Sequence, residues 1–247
     1  MKTIIIDDNE SAQESLEELI QTYCPQLTLA GKAFNIQEGQ KLIEQVSPAL
    51  VFLDVEMPTG TGFELLQQLP EIHFKVIFTT AHEKYALKAI KFSALDYLLK
   101  PIDAEELVEA VSKTQQDTQQ NEFELKMETL FQNLANNQTD QKMMLRDKYG
   151  FQITSVKDII RLEADRNYTH FFIKDQKPLL ISKSLKDYEK LLPPEQFFRC
   201  HKSHIVNLNY LLRYDRREDD ILIFQDGSKV PVSRRKLEML LERIKLG

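Results

Sequence analysis

Four short apolar runs constrain this chain more than any other feature, because each ends on a side chain able to do chemistry. Thr3-Ile4-Ile5-Ile6 leads to Asp7 and Asp8, and Ala49-Leu50-Val51-Phe52-Leu53 leads to Asp54. Val76-Ile77-Phe78-Thr79 leads to Thr80, and Tyr97-Leu98-Leu99 leads to Lys100. Runs this apolar, rich in β-branched and aromatic residues, read as strands buried on both faces. In an open parallel α/β sheet, ligands bind at the carboxyl ends of the strands. Three acids, a hydroxyl and an amine gathered there can hold a divalent cation and a phosphoryl group.

The segments between the runs have helical periodicity. Ala12 to Tyr23 carries Leu16, Leu19 and Ile20 on one side and is closed by Pro25. A strand is predicted at Leu27–Ala30, and a helix at Gln37–Val46, closed by Ser47-Pro48. A turn, Pro58 to Gly62, precedes a helix over 63–69, and further helices are predicted over 83–92 and 103–114. Five βα units in residues 1–115 predict a doubly wound parallel sheet with right-handed crossovers.

Residues 115–142 are rich in Gln and Asn and contain no Pro or Gly, as in a linker. Phe123, Met127, Leu130 and Leu134 nevertheless recur at helical spacing, with Phe131 alongside. A helix of about four turns with flexible ends is predicted, extending the last helix of the first domain, pairing with its copy in a dimer or packing back on its own domain. From Met143 the pattern changes to short strands, at 143–146, 151–154, 159–163, 168–174, 178–182, 204–207, 221–225 and 229–232. Helices are predicted at 184–192, stopped by Pro193-Pro194, and at 234–245. The mixed-charge run 213–220 reads as a solvated turn.

Charge divides at the same place. Residues 1–142 hold 11 Lys and Arg against 23 Asp and Glu, net −12; residues 143–247 hold 21 against 15, net +6. An acidic half followed by a basic, β-rich half suggests a polyanionic partner for the second. Cys24 and Cys200 fall in different halves and form neither a disulfide framework nor a metal knot, so a cytoplasmic location is expected. No apolar run approaches the roughly 18 residues of a transmembrane helix, and the first residues enter a strand directly, so neither a membrane span nor a secretory leader is expected.

The segments Ile4-Ile5-Ile6-Asp7-Asp8-Asn9-Glu10, Phe52-Leu53-Asp54-Val55-Glu56-Met57-Pro58, Phe78-Thr79-Thr80-Ala81 and Tyr97-Leu98-Leu99-Lys100-Pro101 together resemble the signature of the response-regulator receiver domain. The resemblance covers about residues 1–118 and implies a flavodoxin-like fold. It implies Asp54 as the phosphorylated residue, with Mg²⁺ held by Asp8, Asp54 and the backbone carbonyl of Glu56, and Asp7 in support. Lys100 and Thr80 would contact the phosphoryl group, and Tyr97 would switch inward. A sensor histidine kinase would be the donor, and phosphorylation would favour a homodimer. Gly60 stands where the family often has an apolar residue, which predicts a more mobile loop.

The basic half resembles the LytTR DNA-binding domain over about 143–245. The resemblance rests on Asp165-Arg166-Asn167-Tyr168-Thr169-His170, Phe197-Phe198-Arg199-Cys200-His201-Lys202-Ser203-His204-Ile205-Val206-Asn207 and Val230-Pro231-Val232-Ser233-Arg234-Arg235. It implies an elongated, mostly β fold with His170, Lys202 and Arg234 nearest the bases, and Asn167, Tyr168, Ser203 and Arg235 beside them. Arg and Lys suit phosphate and guanine, and Asn suits adenine. Arg199 reads as a phosphate contact or a structural ion pair, with structure preferred, Cys200 as buried, and His201 and His204 as core or surface histidines with no carboxylate or cysteine partner at ligand spacing. The expected organisation is thus a receiver at 1–118, a helical linker at 119–142 and a DNA-binding domain at 143–247. Promoter DNA, in repeated sites, would be the target. A phosphohydrolase is disfavoured, because such enzymes place an Asp-x-Asp pair on the first strand, whereas Asp7 and Asp8 are adjacent. No glycine-rich phosphate loop or stacking-sheet motif supports RNA binding.

Overall fold

The computed structural model describes residues 1–81, 93, 96–116, 120–135, 141–216 and 220–245. The chain forms two compact units, Met1–Ala135 and Asn136–Gly247. The helix predicted over 83–92 lies outside the described residues.

The first unit contains strands β1 (Lys2–Ile6), β2 (Thr28–Ala33), β3 (Leu50–Asp54), β6 (Lys75–Thr80) and β7 (Asp96–Leu99), with a small hairpin of β4 (Glu56–Met57) and β5 (Gly60–Thr61). Its helices are α1 (Glu10–Tyr23), α2 (Ile36–Val46), α3 (Gly62–Gln68), α4 (Ala104–Gln116) and α5 (Gln120–Ala135). The main sheet runs β2-β1-β3-β6-β7 and every pairing is parallel.

The period of two along each strand explains why the runs are continuously apolar. Ile4, Ile6, Val51, Leu53, Val76 and Phe78 enter one core cluster, with Phe63 and Leu66 of α3. Ile5, Leu50, Phe52 and Ile77 enter the other, with Leu16 and Ile20 of α1 and Leu107 and Val111 of α4. Both faces are covered by helices, so neither can be polar. The helix read from residues 115–142 forms as α5 and belongs to the first unit. Met127 and Leu130 are buried in the α3-side cluster, with Phe131 and Tyr97 at its margin. Packing on its own unit is the alternative the structure realises.

The loop after Asp54 is held closely. Gly60 has φ +135°, a region that disfavours side chains, and a Cβ there would meet the Ile36 side chain at 2.7 Å. Glycine at this position therefore serves a defined conformation, with Met57 paired to Gly60. Thr61 and Glu64 form a capping box that starts α3. A Cβ on Gly62 would fall on the carbonyl oxygen of Asp54, so Gly62 lets α3 begin hard against the end of β3.

The second unit begins with a hairpin of β8 (Lys142–Arg146) and β9 (Phe151–Ser155). A five-stranded sheet follows, with β10 (Ile159–Asp165), β11 (Tyr168–Ile173), β12 (Leu179–Ile181), β13 (Phe197–His201) and β14 (His204–Asn207) in the order β12-β11-β10-β14-β13. Helix α6 (Leu185–Leu191) packs Tyr188 edge-on against Phe171 at 4.7 Å. A three-stranded sheet, β15 (Leu211–Asp215), β16 (Ile221–Phe224) and β17 (Lys229–Pro231), and helix α7 (Arg234–Lys245) complete the unit. Phe198, Cys200, Val206, Leu222, Phe224 and Leu240 form its shared core. Two strands were not predicted. β13 breaks the alternation with Phe197-Phe198. β15 is an edge strand whose outward Arg213 made part of the segment read as a turn; edge strands commonly carry such charges.

Candidate functional site

The acidic cluster sits at the reversal of strand order between β1 and β3, where an open parallel sheet leaves a crevice at its carboxyl edge. Asp7 and Asp8 follow β1, Asp54 ends β3, Thr80 ends β6 and Lys100 follows β7. Lys100 Nζ lies 2.6 Å from Asp54 Oδ2 and 2.7 Å from Asp7 Oδ2. Asp54 Oδ1 accepts from the Glu56 amide at 3.3 Å, and Asp7 Oδ1 accepts from the Asn9 amide at 3.0 Å. Asn9 also caps α1 by accepting from the Ala12 amide, so one turn both orients Asp7 and starts the helix.

Burial sets the electrostatics. Asp54 is 5% exposed and Asp7 2%, whereas Asp8 is exposed. Desolvation pushes the Asp54 carboxyl above its ordinary pKa, and the Lys100 ammonium opposes that rise. Burial acts to lower the Lys100 pKa, but its bonds to Asp54 and Asp7 outweigh it and hold the ammonium above its usual range. One carboxylate oxygen each from Asp7, Asp8 and Asp54 lies within 4.8 Å of the others. Such an all-oxygen set, open to water on the Asp8 side, fits a hard cation that keeps several waters.

Thr80 is buried, one residue beyond Thr79, which pairs with Asp54 in the sheet. Tyr97 is half-buried, beside Phe78 in the sheet and on the margin of the α3-side core. Glu56 is exposed, and the Lys100-Pro101 bond is cis. Gln13 was not singled out from sequence. Its Nε2 donates to the carbonyls of Asp7 at 2.7 Å and Ala33 at 2.8 Å, bracing the loop that carries the acids. A glutamine on an amphipathic helix carries no signal of such a role in the sequence.

In the second unit, two hairpin tips lie side by side. β10 and β11 are joined by Arg166-Asn167, with Arg166 in the left-handed region at φ 54°. β13 and β14 are joined by Lys202-Ser203, between the facing pair His201 and His204. The Ala164 amide donates to the Ser203 carbonyl at 2.8 Å and ties the two tips together. Tyr168 and Lys202 are exposed, and His170 Nε2 lies 3.4 Å from Asp165 Oδ2. The Ser233 amide bonds the Cys200 carbonyl at 3.1 Å, which brings the exposed Arg234 and Arg235, at the start of α7, to the same end. Asn167, Tyr168, His170, Lys202, Ser203, Arg234 and Arg235 thus gather from three segments. Cys200 is fully buried, and burial pushes its thiol up to about 12. Burial also lowers the pKa of His204. Glu163, on the neighbouring strand, faces His204 across the sheet.

Comparison with known proteins agrees with this division. The profile of the response regulator receiver domain matches residues 3–112, and that of the LytTr DNA-binding domain matches residues 150–245. The chain is 31% identical over 248 residues to an uncharacterized response regulatory protein of Vibrio cholerae, covering 99% of this chain and 98% of that one. It is 30% identical over 250 residues to the transcriptional regulatory protein BtsR of Escherichia coli K12, covering all of both chains. A solved LytTr DNA-binding domain from Bacillus cereus is 27% identical and covers 42% of this chain and 95% of its own, with a TM-score of 0.38. Among the described residues, no helix is long and apolar enough to cross a membrane. With both profiles matched in order and a relative aligned end to end, the chain belongs to the two-component response regulators that join a receiver domain to a LytTR DNA-binding domain, a family of transcription regulators and not of enzymes.

Proposed function

We propose that Asp54 accepts a phosphoryl group from a sensor histidine kinase, and that the acyl phosphate controls dimerisation and sequence-specific DNA binding. The observation that carries this reading is the buried Asp54 carboxylate, 2.6 Å from the Lys100 ammonium and grouped with Asp7 and Asp8. The carboxylate attacks phosphorus, the donor's P–N bond breaks, and Asp54 carries the phosphoryl group. Phosphoryl transfer needs positioning and charge neutralisation more than covalent help, and Lys100 supplies a compact positive charge. Asp8, Asp54 and the Glu56 carbonyl, with Asp7 in support, would hold Mg²⁺, which would neutralise the phosphoryl oxygens. The added group brings about −1.5 to −2 charge and new acceptor oxygens. Thr80 turns its hydroxyl toward these, and Tyr97 moves into the space released.

The output is DNA. His170, Lys202 and Arg234 reach base edges, and Asn167, Tyr168, Ser203 and Arg235 support them, at repeated promoter sites. We assign the receiver to 1–118, the helical connector to 119–142 and the DNA-binding domain to 143–247, in a cytoplasmic protein. Incubation with labelled acetyl phosphate should label the wild type and leave Asp54→Asn unlabelled; persistent labelling of that variant would remove Asp54 from its role. Lys202→Ala and Arg234→Ala should each weaken binding to a selected duplex by about 1–3 kcal/mol. Binding left intact in both would defeat the DNA assignment.

A further inference from the structure

The turn that carries Lys202 is held by one side chain. Arg199, in β13, donates from Nη2 to the Lys202 carbonyl at 2.6 Å and from Nε to the His201 carbonyl at 3.4 Å. Its Nη1 meets Glu189 Oε2, on α6, at 2.6 Å. The next carbonyl, of Ser203, accepts from Ala164. Three consecutive carbonyls of the tip are therefore occupied, two of them by a single guanidinium. The Arg199 side chain is 21% exposed, and its charge is matched by a carboxylate. His201 Nδ1 lies 2.7 Å from Ser203 Oγ and steadies the turn from within.

A phosphate-gripping arginine would present its donors to solvent. Here donors on Nε, Nη1 and Nη2 are each directed at a protein acceptor, a geometry that Lys cannot reproduce. We infer that Arg199, tethered by Glu189, is a positioning residue that fixes the Lys202-Ser203 turn for base contact and does not itself grip DNA. This rests on the reading of Lys202 as a base-contacting residue. Substitution should therefore erode discrimination between sites and leave the electrostatic, sequence-independent attraction in place.

The test uses the full-length chain treated with acetyl phosphate. Its probes are a duplex selected from a random pool by that chain and an unrelated duplex of equal length. Affinity for each is measured across a salt series for Arg199→Lys and Glu189→Ala. Each substitution should lower affinity for the selected duplex about tenfold. Affinity for the unrelated duplex, and the slope of log affinity against log salt, should be unchanged. The double variant should be no worse than the poorer single one, because both break one tether. A phosphate contact behaves in the opposite way. Arg199→Lys would then retain binding, Arg199→Gln would weaken both duplexes and lower the slope by about one, and Glu189→Ala would tighten both. Any of these outcomes, or no change at all, overturns the inference. Thermal melting establishes that each variant is folded; if Arg199→Lys is not, Glu189→Ala on the helix surface decides alone. Lys202→Ala is measured in parallel. Unchanged affinity there defeats the DNA reading itself, whereas a loss there with intact Arg199→Lys and Glu189→Ala defeats only the positioning role.

Discussion

Asp54 keeps its carboxyl group where only 5% of the residue meets solvent, and burial raises its pKa despite the Lys100 ammonium. A carboxyl whose folded pKa exceeds its ordinary value of 3.8 favours folding fully below that value. That contribution is lost as pH rises through the raised folded pKa, so the ionised form costs stability. Asp54→Asn removes that cost together with one of the two partners of Lys100, Asp7 remaining, so it should melt above the wild type at pH 7, with the gap narrowing as pH falls toward the carboxylate range. Mg²⁺ should raise the wild-type melting temperature, as any ligand of the native state does, and raise that of Asp54→Asn much less. Thermal melts across pH, with and without Mg²⁺, check both statements; a lower melting temperature for Asp54→Asn at pH 7 would contradict the sign. The acids, Thr80 and Lys100 were legible in the sequence because each ends a strand whose direction the βα alternation fixes. Gln13 was not, and for Arg199 a structural ion pair was legible but not the turn it holds, because both bond main-chain carbonyls, and a carbonyl leaves no trace in residue identity.

At the scale of elements, strands buried on both faces were the most legible, since continuous apolar runs admit few alternatives. β13 and β15 were missed because doublets and edge charges blur the period of two, and cross-strand pairing decides them instead. Helix α5 was predicted from its spacing, but spacing alone left its partner open. Leu130 is wholly buried in the α3-side core, whereas Leu134 on the same helix is 37% exposed. A charge at Leu130 would be buried in an apolar cluster, so Leu130→Asp should destabilise the first unit by about 3 kcal/mol or more. Leu134→Asp should change stability by less than about 0.5 kcal/mol. Urea unfolding of the full chain, followed through the first unit's transition, separates the two. Equal midpoints for both variants would mean that α5 does not contribute to the receiver core.

Across the whole molecule, the opposite charges of the two halves give two binding events opposite salt dependences. Two acidic halves, each net −12 over residues 1–142, repel one another, and a phosphoryl group adds to that charge. On the proposed switch, a dimer of phosphorylated chains would form against this net repulsion, and screening by salt would help it. DNA binding by the basic half, net +6 over residues 143–247, draws on counterion release and weakens steeply with salt. Raising salt from about 50 to 200 mM should increase the dimer fraction of the phosphorylated chain, read by light scattering, while lowering its DNA affinity by roughly 10³-fold or more if six or more phosphates are neutralised. A smaller salt slope for a dimer-defective variant would show that two DNA-binding halves act together on repeated sites. A mass that stays monomeric at both salt concentrations would remove dimerisation from the switch, and phosphorylation would then have to act on DNA binding within a single chain.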